Sequence, residues 1–222
     1  MRKHIFLSGV LAVVLLGAGF AAYGKLNNSP AKQTLEEGWT EPEFAGAGNA
    51  SVSVRYPKNL QAIVDSADTI ISGEIVSIND TSNTFTMEEG TPERAIADKS
   101  GADPSYTVKG RDIVISVSDT LKGKIDGDEA TLNIYNADVN LDPEVQVGDN
   151  YILFLNRDEK TGKYHSAHFS AGYFKMDKTD ITDKKDKSKE KIHPLYSKAP
   201  EFAELDNQTY ENVKQKIKEK VK

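Results

Sequence analysis

Residues Tyr151 to Leu155 read Tyr-Ile-Leu-Phe-Leu, five apolar side chains with nothing polar between them. A strand with one wet face alternates apolar and polar residues, whereas an unbroken run needs apolar cover on both faces. A chain that carries such a run must therefore build a sheet with packed material on either side, and Tyr151–Leu155 is expected at its centre. Asp142-Pro143 and Gly148-Asp149 punctuate the approach to it.

The other periodic segments are arranged around this strand. Asn59 to Ala67 carries Leu60, Ile63 and Val64 at helical spacing, ending at Asp65-Ser66-Ala67-Asp68. Thr69 to Ile78 (TIISGEIVSI) is rich in β-branched residues, and Gly73 in its middle suggests a bulge or tight coil. Arg111 to Thr120 alternates, with Ile113, Ile115 and Val117 on one face and Ser116 and Ser118 on the other. Lys122-Gly123-Lys124 makes a turn into Ala130–Tyr135, where Leu132 and Ile134 face inward. Lys163–His165 and Gly172–Met176 supply one or two closing strands. Asn207 to Val221 is an amphipathic helix with Tyr210, Val213, Ile217 and Val221 on one face and lysines on the other.

Five or six short strands with helices only at the ends imply a mainly β fold, a small antiparallel barrel or sandwich. The expected core is Ile70, Ile71, Ile75, Val76, Ile113, Ile115, Val117, Leu121, Leu132, Ile134, Tyr151, Leu153 and Phe154. That is enough for one domain, placed at 51–222.

The remainder of the 222 residues is tail, linker and insert. Arg2-Lys3-His4 precedes an apolar run from Ile5 to Tyr23, and Ala22-Tyr23-Gly24 offers the small residues that signal peptidase reads. Residues 1–24 are expected to be a signal peptide cleaved after Gly24. The alternative is an uncleaved membrane anchor, for which the run is just long enough. Either way the body faces outward, secreted or in the cell envelope. Residues 25–50 lack periodicity and read as a flexible linker, with Trp39 and Phe44 as possible pins to the domain. Asn79 to Tyr106, with Gly90, Pro92, Gly101 and Pro104, reads as a long irregular insert (79–106) between strands. Lys178 to Lys191 is a charge run of six lysines against three aspartates and one glutamate, expected as a solvated loop. The chain has no cysteine, which excludes disulfides, thiolate metal sites, thiol catalysis and lipid attachment through cysteine, and fits export from a Gram-positive cell.

Four pieces in order carry a family resemblance: Ala67-Asp68-Thr69-Ile70-Ile71-Ser72-Gly73-Glu74-Ile75-Val76, then Val117 through Leu121-Lys122-Gly123, then Val147 through Leu155, then Gly172-Tyr173-Phe174. Together they resemble the netrin-like module of tissue inhibitors of metalloproteinases and its bacterial relatives, over Asn59 to about Met176. The resemblance implies a five-stranded barrel of the oligonucleotide/oligosaccharide-binding (OB) type. The animal inhibitors act through a cysteine-led, disulfide-held amino terminus. This chain has no cysteine and a linker precedes the module, so that activity does not carry over, and no functional residue is transferred.

The residues themselves offer no catalytic constellation. His165 and His168 stand three apart, but no carboxylate completes a metal motif around them. Asp126-Gly127-Asp128-Glu129 and Asp138–Asp142 do not match a calcium loop. There is no G-x-S-x-G elbow and no phosphate-cradling glycine loop. No catalytic, cofactor or metal residue is assigned. A net charge of −6 argues against a nucleic-acid partner. The lysines of the last twelve residues read as the wet face of a docked helix, with attraction to anionic wall polymers or lipid headgroups as the alternative. The expected function is a non-enzymatic extracytoplasmic binding module for an unknown protein or cell-envelope polymer, contacted through the 79–106 insert. The competing class is an envelope enzyme or enzyme subunit with a site assembled from scattered polar residues.

Overall fold

The computed structural model describes residues 38–40, 43–45, 52–134, 141–177 and 187–221. The export segment, most of the linker and most of the lysine run lie outside these residues. No helix among the described residues is long and apolar enough to cross a membrane.

The chain is mainly β. Strands β1 (Glu43–Ala45) and β2 (Val52–Val54) form a small antiparallel pair, followed by helix α1 (Leu60–Ser66). Strand β3 (Thr69–Thr86), helix α2 (Pro92–Ser100) and strand β4 (Ser105–Lys122) come next, then β5 (Glu129–Ile134), β6 (Asn150–Arg157), β7 (Tyr164–Ser166) and β8 (Tyr173–Met176). Strand β9 (Lys191–Pro194), helix α3 (Pro200–Leu205), the two-residue strand β10 (Gln208–Thr209) and helix α4 (Tyr210–Lys220) complete the order. Strands β3 to β10 form one eight-stranded sheet in the order β10-β9-β8-β6-β3-β4-β5-β7. Because β7 also pairs with β6, the strands β3, β4, β5, β7 and β6 pair in a closed ring. The sheet is mixed rather than wholly antiparallel, since β5 and β7 run parallel where the ring closes, and it has eight strands rather than five or six.

Two apolar layers explain Tyr151–Leu155. Tyr151, Leu153 and Leu155 point inside the ring, among Ile71, Ile75, Ile113, Ile115 and Leu132. Ile152 and Phe154 point the other way, into a second layer made by α1, α3 and α4 with Phe174 and Ile192. All five are buried, as the unbroken run requires. The expected core holds except at three positions. Val117 and Ile134 are only half-buried, and Val76 is 40% exposed, because β3 breaks register with β4 between Ile75 and Ser77. Gly73 sits at another such break, and a Cβ there would collide with the Ser116 carbonyl.

Helix α1 is capped at its start by Asn59, whose side chain accepts from the Ala62 amide. Glu201 accepts from the Leu60 amide at 2.9 Å, joining α3 to the same end. Tyr210, Val213 and Ile217 of α4 are buried in the outer layer, so the carboxyl-terminal helix docks by the expected stripe. Its first turn is fixed by the Tyr210 hydroxyl, 2.9 Å from Ser72 Oγ and 3.2 Å from Asp119 Oδ2, and by an ion pair between Lys214 and Asp119.

Three expectations are corrected. The linker does not run through to residue 50, since Glu43–Ala45 is a strand paired with Val52–Val54. Trp39 bridges to Pro57 and its ring lies 4.2 Å from that of His168, so it does pin the chain to the domain; the Phe44 side chain lies outside the described residues. Within the lysine run, Lys187–Lys189 forms a 3-10 turn and Lys191 opens β9. Lastly, 79–106 is not an irregular excursion. Most of it is strand and helix, as follows.

Candidate functional site: a β-arm

Strands β3 and β4 are each 18 residues long and pair along nearly their whole length, from Ile70 with Lys122 to Thr86 with Ser105. The inner part belongs to the ring. There β6 pairs with β3 over Thr69–Glu74, and β5 pairs with β4 over Arg111–Ser116. Beyond it, Asn79–Thr86 and Ser105–Gly110 pair only with each other among the described residues. At about 3.4 Å per residue this ribbon extends roughly 25 Å past the ring.

An isolated two-stranded ribbon is marginal in water, so what holds this one is informative. The pairing carries side-chain bonds, with Thr84 to Thr107 at 2.9 Å and Thr86 to Ser105 at 3.0 Å between hydroxyls. Arg111 sits 3.5 Å from Asp80 near the root. The far end is closed by α2. Thr91 caps this helix, accepting from the Arg94 amide and donating to the Glu88 carbonyl, and Pro92 fills its first turn. Gly101, at φ +66°, ends it in the left-handed conformation that favours glycine. Arg94 pairs with Asp98 one turn on, and Ala97 is fully buried. Met87 donates to the Pro104 carbonyl at 2.9 Å, tying the helix ends to the last strand pair.

The surface of this arm is distinctive in two ways. Phe85 and Tyr106 are cross-strand partners with ring centroids 5.5 Å apart, and they are 38% and 37% exposed. Ile96 on α2 is 47% exposed. The tip is also acidic, since Met87–Pro104 holds Glu88, Glu89, Glu93, Asp98 and Asp103 against Arg94 and Lys99.

The other residues weighed in the sequence fall elsewhere. His165 lies on β7 and His168 just before the 3-10 turn Phe169–Gly172. Burial holds both imidazoles toward the neutral form, His168 down to about 4. Among the described residues no three histidine or carboxylate side chains come together as metal ligands. Asp126 is an exposed turn residue paired with Arg157 at 2.7 Å. Of Asp138–Asp142 only the end is described. Burial pushes the Asp142 carboxyl up to about 6, against a lowering by the nearby Tyr173 hydroxyl. Neither Asp142 Oδ1 nor that hydroxyl makes a well-formed hydrogen bond with a described residue. Asp149 is buried, with Lys175 at 3.0 Å and the Tyr151 hydroxyl at 3.4 Å, which anchors the loop before β6.

At the arm's root Ile78, Arg111, Ile113, Ile134, Pro143, Glu144 and Val145 line a recess of about 20 Å³, space for about one water. It brings together Arg111 and Glu144 but is too small for a metabolite. The Phe85–Tyr106 pair was not visible in the sequence, where the two rings are 21 residues apart and nothing marks them as partners. The usable signal was the hydroxyl-rich stretch Thr81–Thr86 facing Ser105–Thr107.

No family model matches this chain, and no curated protein matches it.

Proposed function

We propose that this chain is an exported, non-enzymatic binding module that contacts a protein partner through the β3–β4 arm, carried on a barrel of the OB type. The observation that carries this reading is the stacked, exposed Phe85–Tyr106 pair on a ribbon that leaves the packed body. Aromatic side chains placed in water on a projecting element add nothing to the core, and they are the residue type that anchors protein interfaces. The position of the arm supports the same reading. In OB barrels the connection between the first two strands flanks the usual ligand face, and the first two strands of the ring here are β3 and β4, joined by the arm tip. On the next strand pair, Asp112, Val114 and Ser116 face Asn133, Thr131 and Glu129, with no aromatic among them, and the cation on that face, Lys163, is already bound to Asp112 at 2.6 Å. A face that binds single-stranded nucleic acid uses both. The basic front and apolar run at the amino terminus support export.

The test is an arm-less variant in which Asp80 joins Arg111 through Asn-Gly, a turn suited to a two-residue hairpin. Its folding is checked by circular dichroism and thermal melting. The folded variant is expected to lose association with isolated cell envelopes that the intact protein shows. Retained association by a folded arm-less variant overturns the proposal.

A further inference from the structure

We infer that the outer edge of β3 in the arm takes up an extended, basic segment of a partner protein as an added strand. This inference rests on the arm being the contact element. It names how the arm binds and what chemistry it selects.

The edge is the first observation. Over Thr69–Glu74 the outer edge of β3 is occupied by β6, and at Ile75 it exchanges main-chain bonds with Gly148 and Asp149. Beyond the ring Ser82, Thr84 and Thr86 turn their main-chain groups to this edge, and no described residue pairs with them there. Every second residue along such an edge presents an unpaired main-chain donor and acceptor to solvent, a template for another strand. Proteins usually guard such edges with lysine, proline, inward charge or a covering element. Here Thr81-Ser82-Asn83-Thr84-Phe85-Thr86 contains no charge and no proline, and its threonines favour extended backbone. The helix that could have covered the edge instead caps the tip.

Charge and rings decide the occupant. A strand laid along Thr81–Thr86 ends beside the tip, where five carboxylates face two cations and Arg94 is already bound to Asp98. Glu88 and Glu89 are exposed at the turn from β3 into the tip. Phe85 and Tyr106 present partly exposed ring faces on the same ribbon, and such faces attract ammonium and guanidinium groups. An acidic segment would meet repulsion at the tip and gain nothing from the rings. A second copy adding its own β3 edge would bring an uncharged strand and leave the carboxylates without partners.

The test uses the protein in the form its cell produces, with three fluorescein-labelled hexapeptides followed by anisotropy. One alternates Lys and Val, one alternates Glu and Val, and one repeats the Lys-Val sequence with alternate amides N-methylated so that one hydrogen-bonding edge is blocked. The Lys-Val peptide is expected to bind at least tenfold tighter than either of the others. Converting Glu88, Glu89 and Glu93 together to Lys should reverse the preference between the Lys-Val and Glu-Val peptides. Equal binding of the N-methylated peptide would show charge attraction without strand addition and overturn the inference. So would equal binding of the acidic peptide, or a dimer by analytical ultracentrifugation that the arm-less variant does not form. The two readings separate cleanly. If arm removal releases the protein from envelopes while the peptides show no preference, the arm is the contact element and strand addition is wrong. If arm removal releases nothing, the underlying proposal fails.

Discussion

The ammonium of Lys122 donates to the main-chain oxygen of Ala67 at 2.6 Å, and to that of Val64 at the same distance. A side chain at the end of β4 thus caps the carboxyl end of α1, where free carbonyls and the helix dipole both favour a cation. The following Gly123, at φ +76°, turns against the Asp68 carbonyl with no room for a Cβ. The Leu121-Lys122-Gly123 sequence is therefore a joint: Leu121 enters the core, Lys122 caps the helix and Gly123 turns the chain beside Asp68. Lys122→Met keeps the aliphatic stem and removes the charge-assisted bonds. It should lower stability by about 2 kcal/mol, read as a shift in urea midpoint at unchanged slope.

Gly73 marks a second joint. Its Cβ position is occupied by the Ser116 carbonyl and lies 2.6 Å from the Ile115 side chain. Gly73→Ala must push β3 away from β4 inside the ring, and should destabilise by roughly 1–3 kcal/mol. An Ala variant with wild-type stability would mean that the two strands do not approach this closely. Gly90→Ala, where nothing lies within 4 Å, serves as the comparison, with only the strain of its positive φ.

These joints also show what the sequence made legible and why. Tyr151–Leu155, Gly73 and the α4 stripe were readable because burial imposes a pattern: both faces covered, no room, or one face covered. The arm was not, because most side chains of its ribbon meet water and no apolar alternation is imposed on Asn79–Thr86. Its strands are recorded instead in hydroxyl pairs such as Thr84 with Thr107, a relation between distant positions that no local window contains. The parallel contact of β5 with β7 rests on one residue pair, Leu132 with Tyr164, and exists only once the ring closes. Strand β9 was hidden by the lysines before it, since only Ile192 and Pro194 of its four residues are buried. The insert stood out in the sequence by its length alone, and the ring pair and the strand edge on it needed the pairing register.

Leu153 lies on the central strand inside the ring and is 1% exposed. Leu153→Asp places an unpaired carboxylate among isoleucines, which costs several kcal/mol, on the order of a small domain's whole stability. The variant should fail to give a cooperative thermal transition. A near-wild-type melting curve would remove Tyr151–Leu155 from the core.

Asp142 and His193 give stability two separate pH windows. Burial raises the Asp142 pKa from 3.8 to about 6 in the folded chain. The folded state therefore holds a proton that the unfolded state has lost, and this contribution declines as pH rises from about 4 to 6. His193 stands between Asp206 at 2.8 Å and Asp177 at 3.1 Å. Burial lowers its pKa, but the two carboxylates outweigh burial and the net shift is upward from 6.5. Its contribution is complete below about 6.5 and is lost as pH rises through the folded value. Urea midpoints measured from pH 4 to 8 should flatten between 4 and 6 in Asp142→Asn, and flatten only above 6.5 in His193→Gln. A wild-type profile in either variant would assign that window to other groups.

The carboxyl-terminal helix offers the sharpest contrast between a structural element and a surface-binding tail. Val213 and Ile217 are fully buried against the outer face of the sheet, and Tyr210 is nearly so. The Tyr210 hydroxyl, pushed up to about 12 chiefly by burial, stays protonated and holds Ser72 and Asp119. Lys218 is exposed on the opposite face. Ile217→Ala opens a cavity and should cost about 2–5 kcal/mol, while Lys218→Ala should stay within about 0.5 kcal/mol. Envelope association at physiological salt should change little in Lys218→Ala, because exposed charge is screened within about 8 Å. A docked helix therefore predicts a large loss of stability from the first variant and almost none from the second, with association following the arm. If Ile217→Ala melts like wild type while Lys218→Ala releases the protein from envelopes, the helix is a tail on the surface and its packing here is wrong.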